Sequence, residues 1–159
     1  MTNLQQRLAS RLHLVRKDLD EVLGRISDSD LSWAPVEGMR TVGGQLQEIV
    51  ATEMQIMIAL REGRTTSYVE MHKLCERGNL AEYVDLLERT RAETLGYLES
   101  LTDEELEAEV RMPLEYSESL GMEAVPRSEV LRSIAQHEWY HVGQLVSYVW
   151  SRGDDPYSW

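Results

Sequence analysis

Between Arg127 and Arg152 the chain reads RSEVLRSIAQHEWYHVGQLVSYVWSR. Val130, Ile134, His137, His141, Leu145 and Tyr148 are separated by three or four residues, which puts them on one face of a helix. Gly153, Asp154, Asp155 and Pro156 supply the stop that such a helix needs. Two histidines therefore belong to a face that is otherwise apolar or aromatic.

Three further segments carry the same periodicity. Leu4, Leu8, Leu12, Val15, Leu19 and Val22 form a stripe from about Asn3 to Leu23, ended by Gly24 and the Ser27-Asp28-Ser29-Asp30 cluster. Val42, Leu46, Ile49, Ile56 and Leu60, widened by Val50 and Met57, predict a helix from about Thr41 to Arg61, with Thr41 as its cap. Glu62 to Gly78 is polar and broken and reads as a connection with one short turn. Leu80, Val84, Leu87, Leu95, Leu98 and Leu101 follow Asn79, which with Glu82 makes a capping-box pattern. Thr102 and Glu105 repeat that pattern and predict a short helix to Ala108. Val110-Arg111-Met112-Pro113 and Gly121 to Val125 read as short extended pieces. Four amphipathic helices with one stripe each predict a single all-α domain, an antiparallel four-helix bundle with long connections and room for a crossover.

The chain has 159 residues, with 28 acidic and 16 basic side chains and a formal charge of -12. That length supports one core. The charge excludes nucleic acid, which needs clustered Lys and Arg, and disfavours an anionic membrane surface. The longest purely apolar run, Ile56 to Leu60, is too short to span a bilayer. Met1 to Arg11 lacks the apolar segment of a signal peptide, and the single cysteine, Cys75, has no internal disulfide partner. The expectation is a cytoplasmic protein.

The chemistry concentrates in His137-Glu138-Trp139-Tyr140-His141. Imidazoles at i and i+4 project from adjacent turns and can converge on one ion. The plainer alternative is a pair packed and hydrogen-bonded in the core. The string also satisfies H-E-x-x-H, in which the glutamate is the general base of a zinc protease. The extended protease motif fails, because Gln144 stands at its glycine and Ser147 at its third histidine. A third ligand must then come from a facing helix, and the second segment offers Gln45, Gln47, Glu48, Glu53 and Gln55. Periodicity favours Glu53, in the middle of the apolar stripe, over Glu48 on its flank. Glu138 reads as a solvent or interface residue, and Gln144 as a polar partner of His141. His72 and Cys75, three apart in the connection, are a weaker metal or redox pair. His13 and the run Asp103-Glu104-Glu105 read as solvated. Trp139, Tyr140, Tyr148 and Trp150 divide between core and a dimer contact.

The stretch from Ser128 through His137-Glu138-Trp139-Tyr140-His141-Val142-Gly143-Gln144-Leu145 resembles the last helix of the DinB-like superfamily, which includes YfiT-like metalloenzymes. Members carry His, three residues, His, then Arg-Gly-Gln, and Val142 departs from the arginine. Thr41 to Glu53 is similar to the second helix of the group, with Thr41 and Glu53 in frame and Glu48 where members have a histidine. The resemblance covers nearly the whole chain. It implies an antiparallel four-helix bundle, often dimeric, with a metal held by the second and fourth helices.

On that resemblance the ligand set is Glu48, His137 and His141, with Gln144 and Glu53 behind it. The ion is divalent, and Zn²⁺, Ni²⁺, Fe²⁺ or Mn²⁺ suits such a set. The implied activity is hydrolysis or thiol transfer on a small molecule, with a low-molecular-weight thiol as a candidate cofactor and Arg40, Arg127 and Arg132 as candidate partners for its carboxylates. The alternatives are a non-catalytic ligand-binding or stress-related interaction protein, favoured by the charge that Glu48 adds, and the H-E-x-x-H protease.

Overall fold

Each long helix but the last begins on a side chain that accepts a first-turn amide. In the computed structural model, which describes residues 1–111 and 121–159, Thr2 caps α1 (Asn3–Leu23) in a full capping box with Gln5. Thr41 accepts from the Gly44 amide at 3.1 Å and starts α2 (Val42–Glu62). Asn79 accepts from the Glu82 amide at 2.9 Å and starts α4 (Leu80–Ser100). Only half of the box expected there forms, because the Glu82 carboxylate takes the Gly78 amide instead.

Thr102 and Glu105 form the expected box on α5 (Asp103–Glu107). The last helix, α6 (Arg127–Ser151), has no side-chain cap. Its start is set by a two-stranded antiparallel ladder of β1 (Glu109–Arg111) and β2 (Ala124–Pro126), in which Val110 faces Val125, and by the Arg127 amide donating to the Ala108 carbonyl. The extended pieces thus form, although Met112 and Pro113 lie outside the described residues. The connection after α2 is more ordered than its composition suggests. Ser67 caps an eight-residue helix, α3 (Tyr68–Cys75), which buries Met71 and Cys75.

The chain is mostly helical. α1 packs on α6 and α4, and α2 packs on the same two. α1 and α2 therefore sit across the core from each other, which accounts for the long link between them. That link is pinned where it enters α2. The Val42 amide donates to the Trp33 carbonyl and the Gly43 amide to the Leu31 carbonyl, at 2.9 and 2.8 Å. A Cβ on Gly43 would stand 2.9 Å from the Leu31 carbonyl oxygen, so this close approach requires glycine. Among the described residues, no helix is long and apolar enough to cross a membrane.

The apolar stripes meet around Leu12, Leu19, Leu46, Ile49, Leu87, Leu98, Leu131 and Leu145, all essentially inaccessible. In their midst lie four charged groups, one from each long helix. Arg91 of α4 grips the Glu53 carboxylate of α2 through Nε and Nη2 at 2.9 and 3.0 Å and also reaches Glu138 of α6. Arg16 of α1 donates through Nε to Glu138 at 2.7 Å. Arg91 Nη1 and Arg16 Nη1 donate to the carbonyls of Leu12 and Leu87, and Thr94 donates to Glu53 at 2.7 Å. Two cations thus face two anions with nearly every polar atom paired, the condition under which buried charge is tolerated. Glu138 is 1% exposed, which corrects its reading as a solvent or interface residue. A helix turns about 100° per residue, so the residue after His137 points inward while the histidine points toward α2.

Candidate metal centre

α6 presents His137 and His141 one turn apart, with Nε2 atoms 3.1 Å from each other. α2 brings Glu48 to them, its Oε1 4.0 Å from His137 Nε2. One donor atom from each of the three lies within 4.8 Å of the others. Tetrahedral bonds of 2.0–2.1 Å set neighbouring ligand atoms about 3.3 Å apart. The imidazole pair already has that spacing, and a Glu48 oxygen lies 4.0 Å from His137 Nε2. The residues present fit a divalent cation.

The hydrogen bonds behind the histidines fix which nitrogen is free. Tyr148 gives its hydroxyl proton to the Arg40 carbonyl at 2.8 Å, so its oxygen can only accept from the Gln45 amide nitrogen, 3.0 Å away. Gln45 must then turn its carbonyl oxygen toward His141 Nδ1, at 2.5 Å. The Gln144 carbonyl oxygen approaches the same nitrogen at 3.0 Å. Nδ1 therefore carries the proton, and the Nε2 lone pair faces His137. This is the arrangement that orients metal-binding imidazoles. Thr52 Oγ1 stands 3.4 Å from His137 Nε2.

Charge favours the ligating forms. Burial, reinforced by the neighbouring His141, pushes His137 down to about 4. Burial likewise lowers His141. Burial alone would raise Glu48, but the Tyr68 hydroxyl and the charge of Arg40, with His72 and His137, hold it below the usual carboxylate range. At neutral pH the site offers two neutral imidazoles and one carboxylate.

Glu53, favoured by periodicity and placed behind the ligands by the resemblance, is absent from this cluster. It serves the central charged network, one residue along from Thr52. Gln144 does touch His141. Of the three arginines considered for a thiol's carboxylates, Arg40 alone reaches the cluster. Arg127 contacts the Glu105 carbonyl, and Arg132 pairs with Glu129. His72 and Cys75 do not form a pair. Cys75 is buried with its Sγ 3.6 Å from Met54 Sδ, whereas His72 Nε2 lies 2.6 Å from Glu48 Oε2. Tyr68 is missed by the sequence reading; its one signal is the i, i+4 spacing to His72, in a segment too polar to read as a helix. A groove of about 400 Å³ adjoins His141 through Tyr140 and Gln144 and is walled by Pro35, Met39 and Ser147.

The family model of the DinB superfamily matches residues 11–145. A conserved protein from Enterococcus faecalis of known crystal structure superposes with a TM-score of 0.69 at 16% identity, covering 95% of this chain and 98% of that one. The crystal structure of a histidine-to-alanine mutant of a mycothiol-dependent maleylpyruvate isomerase superposes with a TM-score of 0.66 at 17% identity. That match covers 91% of this chain and 63% of the isomerase, so the chain spans less than two thirds of that protein. No curated protein matches the chain. These likenesses carry the fold, and the family match carries the assignment: the chain belongs to the DinB superfamily.

Proposed function

We propose that this chain is a metal-dependent enzyme that binds one divalent ion through Glu48, His137 and His141, in an antiparallel four-helix bundle, and acts on a small molecule by hydrolysis or thiol transfer. The convergence of three donor atoms within 4.8 Å supports the reading most directly. A bound Zn²⁺, Ni²⁺, Fe²⁺ or Mn²⁺ would supply Lewis acidity at an open position, where a water or a low-molecular-weight thiol is made the stronger nucleophile. The similarity to a mycothiol-dependent isomerase favours the thiol.

The protein side of the chemistry is orientation. Gln45 and Gln144 hold the His141 proton on Nδ1, Thr52 lies against His137, and the groove along Tyr140 and Gln144 receives the part of the substrate that does not react. The H-E-x-x-H protease reading lacks its base, since Glu138 is held by Arg16 and Arg91 in the core. A homodimer completes the proposal, with the exposed Tyr140 and Trp150 of α6 as contact side chains.

Metal analysis of the purified protein tests the reading. One equivalent is expected, lost when His137 and His141 are both changed to Ala. Metal-loaded protein should then accelerate conjugation of a small thiol to a chromogenic electrophile, or hydrolysis of a nitrophenyl ester, and the double variant should do neither. A protein that takes up none of the four ions when offered them would sink the proposal.

A further inference from the structure

The two oxygens of Glu48 have different surroundings. Oε1 faces the histidine pair. Oε2 is enclosed by three side chains: the Tyr68 hydroxyl, which donates at 2.6 Å, Arg40 Nη1, and the His72 ring, whose Nε2 lies 2.6 Å away. The His72 contact is off the line of a hydrogen bond, so the ring packs against this oxygen while Tyr68 and Arg40 supply the protons.

The three side chains are themselves anchored. Tyr68 and His72 stack one turn apart on α3, with ring centroids 4.1 Å apart. The His72 carbonyl accepts from the Gln47 side chain of α2. Arg40 also donates through Nη2 to the Tyr68 hydroxyl at 3.3 Å, and its carbonyl is fixed by Tyr148.

We propose that Arg40, Tyr68 and His72 are positioning residues that hold one oxygen of Glu48, so that Glu48 serves a metal through Oε1 alone. The inference rests on the metal-enzyme reading above. It also answers the charge that a glutamate adds. The Arg40 cation cancels the carboxylate, so ion, ligands and clamp together carry the charge that an ion on three neutral imidazoles would carry. The clamp keeps the carboxylate from chelating through both oxygens, which holds a coordination position for substrate.

The test uses the full-length protein loaded with Zn²⁺ or Co²⁺. Tyr68→Phe removes one hydroxyl from a half-exposed ring, so its circular dichroism and melting temperature should match the wild type. Its Zn²⁺ dissociation constant, measured against a chromophoric chelator, should rise about 10- to 100-fold, the usual cost of a lost partner behind a ligand. The Co²⁺ form should pass from the intense visible absorption of a four-coordinate ion toward the weaker bands of a five-coordinate one, as the freed carboxylate chelates. His72→Leu and Arg40→Gln should move both readouts the same way. Wild-type affinity and spectrum in all three variants would overturn the clamp alone. X-ray absorption showing three bound imidazoles would also overturn it, by making His72 a ligand. A wild-type protein that binds none of Zn²⁺, Co²⁺, Ni²⁺, Fe²⁺ and Mn²⁺ would overturn the clamp and the metal-enzyme reading together.

Discussion

At the scale of single residues, His137 carries a penalty that only a folded site can impose. Its pKa is depressed from 6.5 to about 4, chiefly by burial. Between those values the unfolded chain binds a proton that the folded chain refuses. On this group's account the metal-free protein should be most stable above pH 6.5 and become progressively less stable as the pH falls toward 4. Urea midpoints at about pH 7 and about pH 5 check this, and His137→Gln should flatten the difference. Gln45→Leu removes the nearer of the two acceptors that fix the His141 tautomer. It should weaken Zn²⁺ binding about 10- to 100-fold by chelator competition while His141 stays in place. The histidine pair was legible because i, i+4 spacing is a geometric statement. Glu48 was not, since it lies on the flank of its stripe, and only resemblance pointed to it. Tyr68 is missed, and His72 reads only as a weak pair with Cys75, because the case for both depends on where α3 docks, which local spacing does not encode.

At the scale of elements, two helical glycines should respond oppositely to the same change. Gly96, inside α4, has open space where a Cβ would go, so Gly96→Ala should stabilise by roughly 0.5–1 kcal/mol through backbone entropy. Gly43→Ala brings a methyl against the Leu31 carbonyl at 2.9 Å and should destabilise despite the better helix former. Thermal melts of both variants decide it. The four long helices could be read from their stripes, and the starts of α2 and α4 from their caps Thr41 and Asn79, because both are local features. α3 could not, since its eight residues expose Tyr68, Val69 and Leu74 while burying only Met71 and Cys75. Its order comes from packing on α2 rather than from its own pattern.

At the scale of the molecule, the pairing of helices was beyond local reading, and so was the charged network at their centre. Arg91 sits in the α4 stripe between Leu87 and Leu98, and Glu53 in the α2 stripe; these two misplaced charges are the network's sequence signals. Removing a single member strands its partners, so Arg91→Met or Glu53→Gln should cost about 3–5 kcal/mol in denaturant unfolding. Replacing all four with apolar residues of matched volume should restore much of that loss. Because Arg16, Arg91, Glu53 and Glu138 sum to zero, the whole formal charge of -12 belongs to the rest of the chain. A neutral interior inside a strongly negative envelope makes ionic strength a control on traffic. Added salt should slow the capture of a divalent ion and speed the arrival of an anionic substrate, and the two rates should move in opposite directions across a single salt titration.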